Sequence, residues 1–279
     1  MTMGSRSATS AAAEMAASAT LDAAFAAAEI AEIAGREIMA VYRRGFTVRV
    51  KADDSPVTEA DMASHHLLLR ELDRAFPGTP VVSEEDADRD PAARAADHLL
   101  VDPLDGTRQF VRRNGEFVVN VALVSGGRAV WGVIHAPALG VTYLGAPGAG
   151  ALRIEPDGTR TPIHAAAPVG PDAMVVLKSH SRTTPRQDAW LAARCIRPLR
   201  RPAVGSALKF CMVAEGTAHL APCLHATCEW DTAAGQALVE AAGGAVTDAE
   251  GAPFVYAKAD LRNPWYVAQA WPGADRGCC

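Results

Sequence analysis

No two cysteines stand at C-x-x-C spacing, although the chain carries six: Cys195, Cys211, Cys223, Cys228, Cys278 and Cys279. Zinc centres are usually built on such ligand pairs, so a zinc site is not expected and reduced thiols are. Cys223 and Cys228 flank His225 without a second ligand pair. No apolar run approaches the roughly 18 residues that span a bilayer. Residues 1–20 are rich in Ala, Ser and Thr and lack the apolar core of a secretory signal. These absences predict a soluble, cytoplasmic chain. An excess of positive charge is also missing: 27 Lys and Arg stand against 32 Asp and Glu, a net charge of −5. A broad nucleic-acid surface needs clustered cations, so no nucleic-acid partner is expected. One small anionic ligand, held by a few residues or by metals, remains compatible. What is present is apolar: 49% of residues, against 21% charged, enough for a core and unlike a disordered polyelectrolyte.

The pattern along the chain divides it. Residues 1–19 read as a flexible tail. Thr20 is placed to cap a first helix on which Leu21, Phe25, Ala28, Ile33 and Val41 fall near helical spacing. Phe46 to Val50 alternates as a strand, and Thr58 to Phe76 reads as a second helix stopped by Pro77-Gly78. Buried strands follow at Pro80 to Val82 and His98 to Val101. A hairpin is predicted from Phe117 to Ile134 around Ser125-Gly126-Gly127, and Val141 to Ile154 continues an antiparallel meander. Past about residue 168 helices and strands alternate, with a clear helix from Asp231 to Ala242 that Gly243-Gly244 ends. The first half, residues 20–167, is therefore α+β with an antiparallel sheet. The second, 168–270, is α/β with a smaller mixed sheet, and 271–279 is a tail.

Four acidic features stand at element ends, where catalytic groups often sit. Asp61 closes Val57-Thr-Glu-Ala-Asp61, and Glu84 and Glu85 follow a strand. Asp102 and Asp105 lie in Asp102-Pro-Leu-Asp-Gly-Thr107, and Asp231 opens a helix. Two carboxylates three residues apart at a strand end repel unless a cation sits between them. A carboxylate-rich, all-oxygen site suits Mg²⁺ rather than zinc. Gly106 lets a ligand approach the backbone, and the Gly106 and Thr107 amides at a helix start suit phosphate oxygens. His65-His66 reads as part of a helix with one face solvated, Trp131 and Trp230 as packing residues, and Arg108 with Arg112-Arg113 as a small basic cluster.

The set Val57–Asp61, Ser83-Glu84-Glu85, Asp102–Thr107 and Trp230-Asp-Thr-Ala-Ala-Gly235 resembles the inositol monophosphatase superfamily of Mg²⁺-dependent, lithium-sensitive phosphatases over roughly residues 20–270. Within it, Lys51–Thr58, Asn114-Gly-Glu-Phe117 with Val-Val-Asn120, Gly205–Cys211 and Glu229–Gly235 look like the bacterial CysQ group of 3′(2′),5′-bisphosphate nucleotidases of sulfur metabolism. The resemblance implies a layered αβαβα sugar-phosphatase-type fold and two or three Mg²⁺ ions. Glu84, Asp102, the Leu104 carbonyl, Asp105 and Asp231 would hold metal, and Asp61 a weaker one through water. Thr107 and Glu84, helped by Asp61, would orient a metal-activated water. Asp105, Gly106, Thr107, Arg108 and Asp231 would line the substrate. Ser206 and Lys209, with His180 and Ser181, would lie near its nucleotide or second phosphate. The implied reaction is hydrolysis of adenosine 3′,5′-bisphosphate to AMP; inositol 1-phosphate or another sugar phosphate is the alternative. An oligomer and a peripheral association with the cytoplasmic membrane face stay open.

The sequence departs from the group's pattern at Ala207, where a second Ser is usual, and at Arg108-Gln109, where Lys-Glu is usual. The stretch Ala221-Pro-Cys-Leu-His-Ala226 also departs, with Cys223 at the place of an arginine. An aspartyl-phosphate phosphatase would set its two acids two residues apart; here they are three apart, which argues against that chemistry.

Overall fold

The computed structural model describes residues 8–50, 56–86, 97–168, 174–180, 185–195 and 199–272. Residues 51–55 of the Lys51 motif, Ser181, Cys278 and Cys279 lie outside them. The long first helix, α1 (Ala8–Arg44), begins upstream of its expected cap. The Thr20 hydroxyl donates to the Ala16 carbonyl at 2.9 Å, so Thr20 lies inside the helix. The alanine-rich stretch before it has the best intrinsic helix propensity and carries the helix past the cap signal. Ala24, Ala27, Ala31, Ala34, Ile38 and Val41 form its buried stripe at three- and four-residue spacing. A short ribbon of β1 (Val48–Val50) and β2 (Pro56–Thr58) leads into α2 (Glu59–Ala75). Thr58 caps α2: its hydroxyl accepts the Ala60 N–H at 3.1 Å, and Asp61 accepts the Thr58 N–H at 2.7 Å. This reciprocal capping box satisfies donors that a helix start would otherwise leave unpaired.

The main sheet has seven strands in sequence order: β3 (Val81–Ser83), β4 (His98–Asp105), β5 (Val118–Ser125), β6 (Arg128–Ala136), β7 (Val141–Ala146), β8 (Gly150–Ile154) and β9 (Arg160–Pro162). Only the β3–β4 pair is parallel. Leu99, Val101, Val119 and Val121 face α1 and α2, whereas Leu100, Val118, Ala122 and Val124 face the opposite layer. Burial of both faces explains why these strands read as nearly continuous apolar runs.

After the short α3 (Thr107–Val111) and α4 (Pro185–Arg194), the second half supplies α5 (Leu208–Ala214) and α6 (Ala233–Ala241). These two cover the other face of the main sheet. A Cβ on Gly132 would lie 2.4 Å from the Ala234 carbonyl oxygen, and one on Gly145 would lie 2.9 Å from Ala241 Cβ. The two glycines let α6 rest directly on β6 and β7. Beneath α5 and α6 lies the smaller sheet, in which β14 (Tyr266–Gln269) runs antiparallel to both β12 (Leu220–Cys223) and β13 (Ala245–Asp248). A parallel bridge from Val176 to Leu220 sets β10 (Met174–Val175), with its parallel partner β11 (Leu199–Arg200), beside β12. The smaller three-stranded sheet is thus antiparallel rather than mixed, with the parallel β10–β11 pair a separate element at its edge, and the mixed sheet is the large one, through its β3–β4 pair. Leu191 of α4 packs with Met174, Val176, Leu220 and Val267 on the outer face of the smaller sheet. The layers run α, β, α, β, α, as the resemblance implied. No helix among the described residues is long and apolar enough to cross a membrane.

Candidate active site

β4 ends in Asp102-Pro103-Leu104-Asp105, and its register against β5 shifts between Asp102 and Asp105. Pro103 cannot donate to the ladder, which accounts for a break there. The turn is fixed from two sides: the Leu104 N–H donates to Asp102 Oδ1 at 3.0 Å, and the Ser64 hydroxyl of α2 donates to the Pro103 carbonyl at 2.8 Å. Gly106 follows at φ +92°, before Thr107 opens α3. A side chain there would be doubly opposed, because a Cβ would also sit 2.9 Å from the Glu116 carbonyl oxygen and 3.1 Å from Ser206 Cβ.

Asp231 arrives from the second half. The sequence suggests that it opens the long helix; instead it ends a 3-10 turn, Glu229–Asp231, and Thr232 is the N-cap of α6. Asp is favoured at both places, so the pattern alone does not separate them. Asp231 Oδ2 accepts the Cys228 N–H at 2.6 Å. Asp102, Asp105 and Asp231 each offer a carboxylate oxygen, and the three lie within 4.8 Å of one another. Asp102 is 1% exposed. Burial, and then the charges of Glu84, Asp105 and Asp231, push its pKa well above the usual carboxylate range. Three oxygen donors gathered against their own repulsion are a donor set that a hard divalent cation satisfies, so these residues fit Mg²⁺. Glu84 is not one of this trio. It follows β3, where its N–H donates to the Val101 carbonyl at 3.0 Å, and of the neighbouring charges it weighs most on Asp102.

Asp61 links the cap of α2 to the site. Its Oδ2 accepts from the Thr58 N–H and hydroxyl, and its Oδ1 accepts from the Thr107 hydroxyl at 3.2 Å. Burial raises its pKa to about 6, against the lowering effect of these bonds. The Thr107 hydroxyl is also 3.2 Å from the Leu104 carbonyl. One proton thus serves two acceptors, and the oxygen keeps lone pairs for a further donor.

The second half presses a strained loop against Gly106. Ser206 holds a left-handed φ of +51°. The Gly205 N–H donates to Glu116 Oε2 at 2.7 Å, and the Ala207 N–H donates to Asp105 Oδ2. The buried Lys209 ammonium points inward, donating to the Ser206 carbonyl at 2.7 Å. Burial lowers its pKa, while Cys223, Asp105, Glu116 and Asp231 oppose that shift. His180 donates from Nε2 to Glu116 Oε2 at 2.6 Å, and Arg108 is exposed on α3. Cys223, the departure on β12, is buried, and burial pushes its thiol up to about 11.

Several contributors receive no role in the site from the sequence. Glu116 joins His180 to the Gly205 backbone, and the Asn120 amide donates to Asp105 at 3.4 Å. His65 and His66 lie on α2, His66 on its exposed face and His65 buried; the His65 Nδ1 meets Ser83 Oγ at 2.9 Å and its Nε2 lies 3.6 Å from Asp86. Asp61, Ser64, His65, Leu68 and Leu72 share one buried face of α2, a spacing that was available as a signal.

With this geometry in place, comparison with known proteins defines the class. The inositol monophosphatase family profile matches residues 20–271, and the chain belongs to that family. It is 40% identical over 247 residues to the 3′(2′),5′-bisphosphate nucleotidase CysQ of Escherichia coli (strain K12), covering 85% of this chain and 96% of that protein. Among solved structures it is similar to CysQ from Bacteroides thetaiotaomicron, a bacterial member of the family, with a TM-score of 0.76, 35% identity and coverage of 88% and 96%. It is also similar to the extragenic suppressor protein suhB from Bartonella henselae, with a TM-score of 0.72, 26% identity and coverage of 89% and 95%.

Proposed function

We propose that this chain is a Mg²⁺-dependent 3′(2′),5′-bisphosphate nucleotidase that converts adenosine 3′,5′-bisphosphate to AMP and phosphate. One observation carries the reading: 40% identity to the CysQ nucleotidases is spread over nearly their whole length, with the carboxylate trio of Asp102, Asp105 and Asp231 at its centre. Glu84, Asp102, the Leu104 carbonyl, Asp105 and Asp231 would hold Mg²⁺, with Asp61 contributing to an additional ion through water. When bound, Mg²⁺ supplies charge neutralisation to the phosphoryl group and acidity to the hydrolytic water. The chain's own residues set the geometry. Thr107 Oγ1 donates to Asp61 Oδ1 and Leu104 O, which leaves it able to accept a hydrogen bond from one O–H of the attacking water. Glu84 would take the water's other proton as the oxygen attacks phosphorus, and the departing ribose oxygen would gain its proton from solvent. The Gly106 and Thr107 amides bind phosphoryl oxygens at the start of α3. Arg108, exposed beside them, draws in the anionic substrate. Ser206 and His180 would meet the nucleoside and second phosphate; Lys209 bonds the Ser206 carbonyl, and Glu116 bonds both His180 and the Gly205 N–H.

The direct test is phosphate release with Mg²⁺ from adenosine 3′,5′-bisphosphate, inositol 1-phosphate and fructose 1,6-bisphosphate in parallel. The nucleotide is expected to give the highest kcat/KM. A preference for inositol 1-phosphate would overturn the nucleotidase assignment while leaving the phosphatase standing.

A further inference from the structure

The turn that carries Asp231 is fastened by a carboxylate that the chemistry above does not use. Glu229 is wholly buried, at 0% exposure. Its Oε2 accepts the Ala257 N–H at 3.0 Å, and its Oε1 accepts the Lys258 N–H at 3.0 Å and the Lys258 ammonium. The same ammonium donates to the Val255 carbonyl at 3.0 Å. At a buried carboxylate, donors and a basic partner must take the place of water, and these groups do so here. Two successive N–H groups meet one carboxylate in a segment where Ala257 holds φ at +61°. Backbone conformations of that kind persist in non-glycine residues only where the surroundings enforce them.

Other bonds tie the same turn. Asn263 Nδ2 donates to the Cys228 carbonyl and to the Thr232 hydroxyl, one on each side of it. The Glu229 N–H donates to the Leu261 carbonyl at 2.9 Å. Without a cation, Asp231 is pushed away from Asp102 and Asp105 by like charge. A turn free to rotate would swing that carboxylate outward, and cation binding would then have to draw it back. We infer that Glu229, with Lys258 as its counter-ion, is a positioning residue that holds the Glu229–Asp231 turn so that Asp231 faces Asp102 and Asp105 before the cation binds. The inference rests on the metal-centre reading above and concerns how tightly that centre binds.

Glu229→Gln isolates the effect at constant volume. All partners of the carboxylate are donors, so a carboxamide must turn its NH₂ toward at least one of them. Lys258→Met removes the counter-ion and keeps an apolar stem near the Phe254 and Tyr256 rings, from which the ammonium is 6.0 and 5.8 Å away. The Lys258 side chain is 28% exposed, so this variant carries the test if Glu229→Gln does not fold. The measurement is Mn²⁺ binding to full-length, substrate-free protein, read by loss of the free-ion paramagnetic resonance signal. Both variants are expected to weaken Mn²⁺ binding roughly 10-fold, the scale seen when partners behind metal ligands are lost. Gly35→Ala is the stability control. It lies on α1, across the main sheet, where a Cβ would be 2.4 Å from His135 Nε2. It should lower the Tm without moving Mn²⁺ affinity. Wild-type affinity in Glu229→Gln or in Lys258→Met overturns the inference. Failure of the wild-type protein to bind Mn²⁺ refutes the metal centre itself, a different result.

Discussion

Replacing Asp102 by Asn should stabilise the metal-free protein and remove its response to Mg²⁺. The carboxylate oxygens of Asp102, Asp105 and Asp231 lie within 4.8 Å of one another. At an effective dielectric of about 20, each fully ionised pair at that distance repels by about 3 kcal/mol. The actual relief is smaller, because Asp102 already holds its proton more tightly than a free carboxyl does. The substitution also keeps one bond, since an Asn Oδ1 can accept the Leu104 N–H as Asp102 does. A net gain of about 2 kcal/mol is expected, or a Tm rise of roughly 4–8 °C for a chain of this size. Mg²⁺ should then stabilise only the wild type, by about 2.7 kcal/mol at 100 times the Kd. Scanning calorimetry in EDTA and in Mg²⁺ would show the variant above the wild type in the first and the advantage lost in the second. The sign with pH follows from linkage. Raised folded-state affinity for a proton makes metal-free wild type gain stability from this group as pH falls from neutrality toward 4. Asp102→Asn should flatten that gain. A variant less stable than wild type in EDTA would refute the repulsion argument.

Two further outcomes follow from single groups. Thr107→Val keeps the shape and removes the hydroxyl that bonds Asp61 and Leu104; kcat should fall about 100-fold while Mn²⁺ affinity holds, and Thr107→Ser should restore turnover. His135 is buried, its Nδ1 2.9 Å from a Thr142 hydroxyl that itself donates to Glu32, and burial lowers its pKa to about 4. Its neutral form is the folded one, so its contribution is complete above pH 6.5 and is lost as pH falls toward 4, by about 3 kcal/mol. Urea unfolding of wild type and His135→Gln at pH 7, 5.5 and 4.5 would check this: the gap between the two should change across that range and not above it.

The acidic cluster of the candidate site is legible because local and global signals agree there. Two acids after an apolar strand, broken by a proline, leave few other uses for Asp102 and Asp105. The hairpin at Gly126-Gly127 and the start of the second helix at Thr58 are likewise local features. The beginning of α1 is not legible because a polar cap signal at Thr20 competes with an alanine-rich stretch that needs no cap to stay helical. The place of Asp231 is ambiguous for a similar reason, since Asp is favoured both in a 3-10 turn and at a helix start. What stayed hidden depends on contacts between distant segments: the Ala207 N–H on Asp105, Glu116 on Gly205, and Glu229 on Lys258. No spacing rule brings residues 29 to 102 positions apart together. Cys223 shows the limit from the other side. The sequence marks it as a departure from a pattern, and only packing reveals a buried thiol on β12 near Lys209.

The central claim is that this acidic site turns over a phosphomonoester with a divalent cation. The most direct measurement is phosphate release from adenosine 3′,5′-bisphosphate against Mg²⁺ concentration, for wild type and for Asp105→Asn. The wild type should show saturable, chelator-sensitive turnover with AMP as the product, and the variant should lose at least about 100-fold in kcat/KM, or roughly 3 kcal/mol of transition-state stabilisation. Turnover that survives EDTA, or a variant near wild-type activity, would contradict the account.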